Sequence, residues 1–142
     1  MAELIRPLDL KTMASDAEAE RIDTERKLLE RKKKQELELR EVFMSRAIHP
    51  EAVDRINSAA MIAAKQGLSE LQVLTFPARY CNDRGRRINN GASDWPCSLE
   101  GFAKVAFEFY DKELRPLGYK LTAEIISFPD GMPGDVALKL RW

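Results

Sequence analysis

Between residues 99 and 114 the apolar positions recur too densely for a surface helix. At about 100° per residue, Leu99, Phe102, Ala103, Val105, Ala106, Phe107, Phe109, Tyr110 and Leu114 cover an arc of roughly 200°. The polar remainder is narrow: Glu100, Lys104, Glu108, Asp111 and Lys112. An amphipathic surface helix needs about half that apolar width. The pattern therefore predicts a core helix packed on two sides, against a sheet and a second helix. Asp94 or Ser98 is its expected N-cap, according to whether the first turn includes Pro96, and Arg115-Pro-Leu-Gly118 closes it.

Upstream the pattern is different. Residues 1–14 alternate Leu4, Ile5, Leu8, Leu10 and Met13 around Pro7, which suggests a short strand or an extended arm. Ser15-Asp-Ala-Glu18 matches a capping box, so a helix is expected to start there. With no Gly or Pro between Ser15 and Pro50, it should run to about Ala47, on the order of 50 Å. A compact globule of this chain length is only about 35–40 Å across, so such a helix must project or break. Its charged positions form a lattice: Asp23/Lys27, Glu30/Lys34 and Glu36/Arg40 in the favourable order, and Arg21/Glu25, Arg26/Glu30, Lys32/Glu36 and Lys34/Glu38 in the reverse. As a long parallel zipper it is poor, because a seam of Leu28, Gln35 and Val42 with Glu25, Lys32 and Leu39 is interrupted by polar residues. Apolar density rises only toward Leu37, Leu39, Val42, Phe43, Met44, Ala47 and Ile48, which marks that end for a core or an interface.

His49-Pro-Glu breaks the helix, and His49 is read as a turn or cap residue. A second helix should follow to Gly67, with a stripe of mostly small residues (Ala52, Val53, Ile56, Ala59, Ala60, Ala63, Ala64) suited to a close helical neighbour. Leu71 to Phe76 reads as a strand ended by Pro77. Tyr119, Leu121, Ala123 and Ile125 alternate with polar neighbours, and Val136, Leu138, Leu140 and Trp142 repeat that period. The turn formers of Phe128 to Asp135 join these two strands in a wide hairpin. The expected fold is α+β: an N-terminal helical hairpin with one long charged helix, then a β-α-β-β unit whose small three-stranded sheet packs on the core helix. It is expected as one domain, with 1–14 an arm, 15–67 the hairpin and 68–142 the β-α-β-β unit.

Composition narrows the function classes. The 142 residues carry 23 basic and 23 acidic side chains, a net charge of zero, which argues against a surface built for nucleic acid or anionic lipid. The basic run Arg31 to Lys34 is neutralised by its acidic neighbours and reads as a solvated helix face. No apolar run reaches the length of about 18 residues needed to span a membrane, and the start lacks the features of a signal peptide, so a cytoplasmic location is expected. Cys81 and Cys97 lack CxxC spacing, and a single His completes no zinc site, so both are expected as reduced, partly buried thiols.

The long irregular stretch from Ala78 to Cys97 is the best candidate site, because structureless connections of this length are often functional. Arg79, Arg84, Arg86 and Arg87 offer forked donors matched to phosphate or carboxylate oxygens, and Asn89 and Asn90 with Gly91 would complete an anion cradle. Tyr80 and Trp95 would stack on a base or ring. The competing reading pairs these Arg side chains with Asp83 and Asp94 to pin the loop. P-loop, GxGxxG, GxSxG and HExxH patterns are absent, the acids of Asp130 to Asp135 lack EF-hand spacing, and no cofactor or metal is expected. The leading expectation is a non-enzymatic interaction or adaptor module that self-associates through its helices. A small-anion or nucleotide-binding domain, catalytic or not, built on residues 79–90 is the alternative, and nucleic acid is the least favoured partner.

Overall fold

A computed structural model describes residues 3–142, so the first two residues of the expected arm lie outside the described residues. The fold is α+β, with two helices followed by a β-α-β-β unit. Helix α1 spans Pro7–Ser45, α2 Ala52–Lys65, and strand β1 Glu70–Pro77. A single turn, α3, covers Arg86–Asn89; the core helix α4 is Gly101–Phe109, and strands β2 (Lys120–Ile125) and β3 (Asp135–Arg141) follow. The chain divides into two units, the first ending at Glu41 and the second running from Val42 to Trp142.

The first unit corrects two expectations. Helix α1 begins at Pro7, not at Ser15, with the Arg6 carbonyl accepting from the N–H groups of Asp9 and Leu10. Pro suits this first position because its missing N–H would have no intrahelical partner. The capping box at Ser15 would require Ser15 itself to leave helical geometry. Nothing forces that exit, since Leu8 to Ala19 is rich in strong helix formers, so the helix passes straight through the supposed arm. Among the described residues of α1 none is buried, over 39 residues. Ion pairs brace it: Asp23–Lys27 at 3.1 Å, Asp23–Arg26 at 2.9 Å and Arg26–Glu30 at 4.0 Å.

In the second unit, β3 is the central strand of the order β1-β3-β2 and pairs antiparallel with both neighbours. It is the most buried element, with Val136, Ala137, Leu138 and Leu140 almost fully enclosed. That is why its alternation is so regular in the sequence. On the face opposite Leu138 and Leu140, Lys139 lies between Glu124 of β2 and Glu70 of β1. The hydrogen bond and charge of Glu124 raise the Lys139 pKa. Strand β1 carries a bulge between Gln72 and Leu74.

Helix α2 lays its small-residue stripe on β1, burying Ala60 and Ala63. Gly67, at φ +82°, ends it: the Leu68 N–H reaches the Ala63 carbonyl and the Gly67 N–H that of Ala64. His49 does serve the turn before it, its Nδ1 accepting from the Glu51 N–H at 3.0 Å.

The expected core helix is present but shorter and interrupted. Trp95–Ser98 forms its own 3₁₀ turn, Leu99 and Glu100 are extended, and α4 starts only at Gly101. Neither expected N-cap is used. Ser98 is buried and donates its hydroxyl to the Trp95 carbonyl at 2.7 Å, while Asp94 pairs with Arg87. Gly101 sits at φ +58°, and a Cβ there would lie 2.7 Å from the Met44 Cα, so close approach of that backbone reserves the position for glycine. After Phe109 the helix widens into one π turn, Tyr110–Leu114, then a 3₁₀ turn to Leu117. The core joins Leu99 and Ala103 to Phe76, Tyr80, Val136 and Leu138, with Phe43 against Phe76 and Tyr80 at ring separations of 5.5 and 4.9 Å.

Candidate functional site

Between β1 and α4 the chain is less irregular than its composition suggests. Ala78–Tyr80 makes a 3₁₀ turn, Gly85 at φ +84° starts α3, and Asp83 anchors it by accepting from the N–H groups of Gly85 and Arg87, each at 3.0 Å. This Asx-type anchoring is what orders a stretch that lacks hydrophobic periodicity.

The residues expected to form an anion site have separate fates. Arg87 is the best held: its guanidinium lies 3.2 Å from Asp94, 3.8 Å from Asp83 and 3.5 Å from the Asn82 side-chain oxygen. Arg86 and Asn90 line a shallow surface hollow beside Arg87, but Asp83 lines it too, placing a carboxylate among the cations. Arg79 stands over the ring of Tyr80 at 5.4 Å, Arg84 is exposed at a positive φ of 59°, and Asn89 is exposed in the last turn of α3. Tyr80 is buried in the core, and Trp95 packs edge-on to Phe107 at 5.7 Å. The loop brings Arg86, Arg87 and Asn90 together, and Arg79, Tyr80 and Trp95 fall elsewhere.

Both thiols are free, but only Cys81 is buried and Cys97 is exposed, because the 3₁₀ turn at Trp95 directs Ser98 inward and leaves Cys97 outside. Burial pushes the Cys81 thiol up to about 11, opposed by a hydrogen bond with Ser98 and assisted by the charges of Asp83 and Glu100. That thiol is chemically quiet. No group of three or more His, Cys, Asp or Glu suited to a metal occurs among the described residues.

Sequence reasoning missed a cleft of about 370 Å³ in the second unit. One wall is α2 and the turn before it, with Arg46, Ile48, His49, Ala52, Arg55 and Ile56. The opposite wall is α4 and its π turn, with Phe102, Ala106, Phe109, Tyr110 and Leu114; the sheet closes the floor through Leu74, Leu121, Leu138 and Leu140. The core helix was expected to be packed on both sides. One side instead faces this cleft, where each wall presents a small residue, Ala52 from α2 and Ala106 from α4. Arg46 lies 4.2 Å from the centroid of the Phe102 ring, a cation–π contact at the cleft wall. The available signal was Arg46 and Arg55 set among apolar residues, opposite a helix whose apolar arc exceeded one face.

Among the described residues, no helix is long and apolar enough to cross a membrane. No protein-family model, curated protein or solved structure matches this chain.

Proposed function

We propose that the protein is a non-enzymatic interaction module that self-associates through α1. The observation carrying this reading is a 39-residue helix with no buried residue that nevertheless displays Ile22, Leu28, Leu29, Leu37 and Leu39, each more than half exposed. Exposed apolar side chains grouped on a face favour a partner, whereas scattered single ones are ordinary. Here they are grouped. Ile22, Leu29 and Leu37 fall within roughly 80° of one another, and Leu28, Leu39 and Val42 within roughly 60° on the other side, at 3.6 residues per turn. The apolar residues are thus divided between two faces, each available to a neighbouring helix.

Charge argues for a second copy of the chain as that neighbour, in antiparallel order. From Asp9 to Glu25 the helix carries six acids and two bases; from Arg26 to Lys34 it carries six bases and one acid. Parallel pairing would set like on like. Antiparallel pairing about the Glu25/Arg26 boundary lays the acidic stretch of each copy along the basic stretch of the other and brings Ile22 near Leu29 of its partner.

The reading of residues 79–90 as an anion site has weaker support, since Arg87 is committed to Asp83 and Asp94. Sedimentation velocity of the full chain tests the leading reading. Association is expected below ~100 µM, in the affinity range of weak helical interfaces, and should weaken with added salt. Ile22→Glu with Leu29→Glu should return the protein to monomer without lowering its melting temperature. A wild type that stays monomeric at ~100 µM overturns the proposal.

A further inference from the structure

The cleft between α2 and α4 has a chemical character that the self-association of α1 does not use. Its walls and floor are aliphatic and aromatic, and no Asp or Glu lines it. The polar groups on its walls are cationic or hydrogen-bond donors. Arg46 has no carboxylate partner among the described residues, and its stacking on Phe102 holds the guanidinium at the wall. Arg55, by contrast, is within 3.8 Å of Glu51 and its charge is balanced. His49 accepts the Glu51 N–H through Nδ1, so in its neutral form the proton resides on Nε2, giving the ring a donor of its own.

From these observations we infer that the cleft is a binding site for an amphipathic monoanion, a medium-chain aliphatic carboxylate, with its tail against Phe102, Phe109 and Leu138 and its carboxylate on Arg46. One unbalanced guanidinium matches one negative charge. A phosphate dianion would leave charge uncompensated beside an apolar wall, which is costly. The planar fork of Arg46 suits a carboxylate, and its stacking on Phe102 lessens the side-chain freedom lost on binding. A volume of about 370 Å³ lies within the range of small-molecule sites, at the lower end, which favours a single unbranched chain over a fused ring system. The π turn at Tyr110–Leu114 belongs to the same feature: by widening the helix it sets Tyr110 and Leu114 in the cleft wall, and such turns recur at binding sites.

The test uses the full chain, decanoate below its micellar concentration, and decanol as the uncharged analogue, followed by calorimetry and by amide chemical shifts. Decanoate should bind saturably, perturb residues 46–56 and 102–114, and bind about tenfold or more tighter than decanol, the usual worth of a charge-assisted contact. Arg46→Gln should remove that preference while the decanol affinity and the melting temperature stay near wild type. Ala106→Phe, which fills the cleft from α4, should abolish binding of both; if it perturbs folding, Ala52→Leu fills it from the α2 wall. Equal affinity for decanoate and decanol, an unchanged preference in Arg46→Gln, shifts confined to α1, or no binding at all would each overturn the proposal. The outcome is independent of the oligomeric state, which sedimentation of the same samples reports separately.

Discussion

Arg87 Nε lies 3.2 Å from a carboxylate oxygen of Asp94, joining the first turn of α3 to the turn that precedes α4. Together with Asp83, which accepts from the Arg87 backbone N–H and faces its guanidinium, this pair closes the stretch between β1 and α4. One of the four arginines expected to hold an anion is thus a tie within the loop.

Removing that tie should cost stability. Arg87→Ala is expected to lower it by about 1 kcal/mol, the upper range for partly exposed ion pairs, whereas Arg84→Ala and Arg86→Ala should stay within ~0.5 kcal/mol. Urea melts of the three variants check this. In the same protein, millimolar phosphate should leave the melting temperature unchanged. A rise that disappears in Arg86→Ala/Arg87→Ala would instead establish an anion site, since a ligand of the folded state alone stabilises it by RT ln(1 + [L]/Kd).

Gly101→Ala should be among the more damaging single substitutions on α4. It combines a positive φ with a Cβ placed 2.7 Å from the Met44 backbone, so either the start of the helix or the chain at Met44 must move. A loss of about 2 kcal/mol or more is expected, from the left-handed penalty plus the displacement. Gly91→Ala, also at positive φ but with open space around it, should cost only the first part. Thermal melts of both variants separate the two contributions.

The centre of the sheet should be equally sensitive. Leu138→Ala is expected to cost about 3–5 kcal/mol, because the side chain is fully enclosed. Lys104→Ala, on the exposed side of α4, should cost under ~0.5 kcal/mol. Comparable losses from both in urea melts would mean that α4 presents a different face to the core.

Cys81 gives the fold a dependence on alkaline pH. Its folded pKa is about 11 against 9.0 for the free group, so below pH 9 the thiol is protonated in both states and contributes no slope. Between about pH 9 and pH 11 the unfolded chain loses the proton first, and stability should fall by up to about 2–3 kcal/mol. Cys81→Ala should flatten this part of the stability profile relative to wild type. At neutral pH a thiol reagent should modify exposed Cys97 in the native protein and reach Cys81 only on unfolding.

The parts of the fold visible in the sequence are those governed by local periodicity. The alternation of Val136, Leu138 and Leu140 marks β3 because a buried central strand must repeat every two residues. Gly67 announces the end of α2, and the breadth of apolar residues on 102–110 marks α4 as the core helix, for equally local reasons. The onset of α1 was not legible: Ser15 carries a capping pattern, but a cap forms only where the chain leaves the helix, and Pro7 lets it begin earlier. The late start of α4 was hidden as well, since it depends on Met44, distant in sequence, pressing against Gly101. Whether Arg87 is a ligand or a tie rests on the distance to Asp94, which no spacing encodes. The cleft lay beyond the sequence for the same reason: the positions of Ala52 and Ala106 leave a space only when α2 and α4 stand on one sheet, and only then does Arg46 come to face an apolar wall.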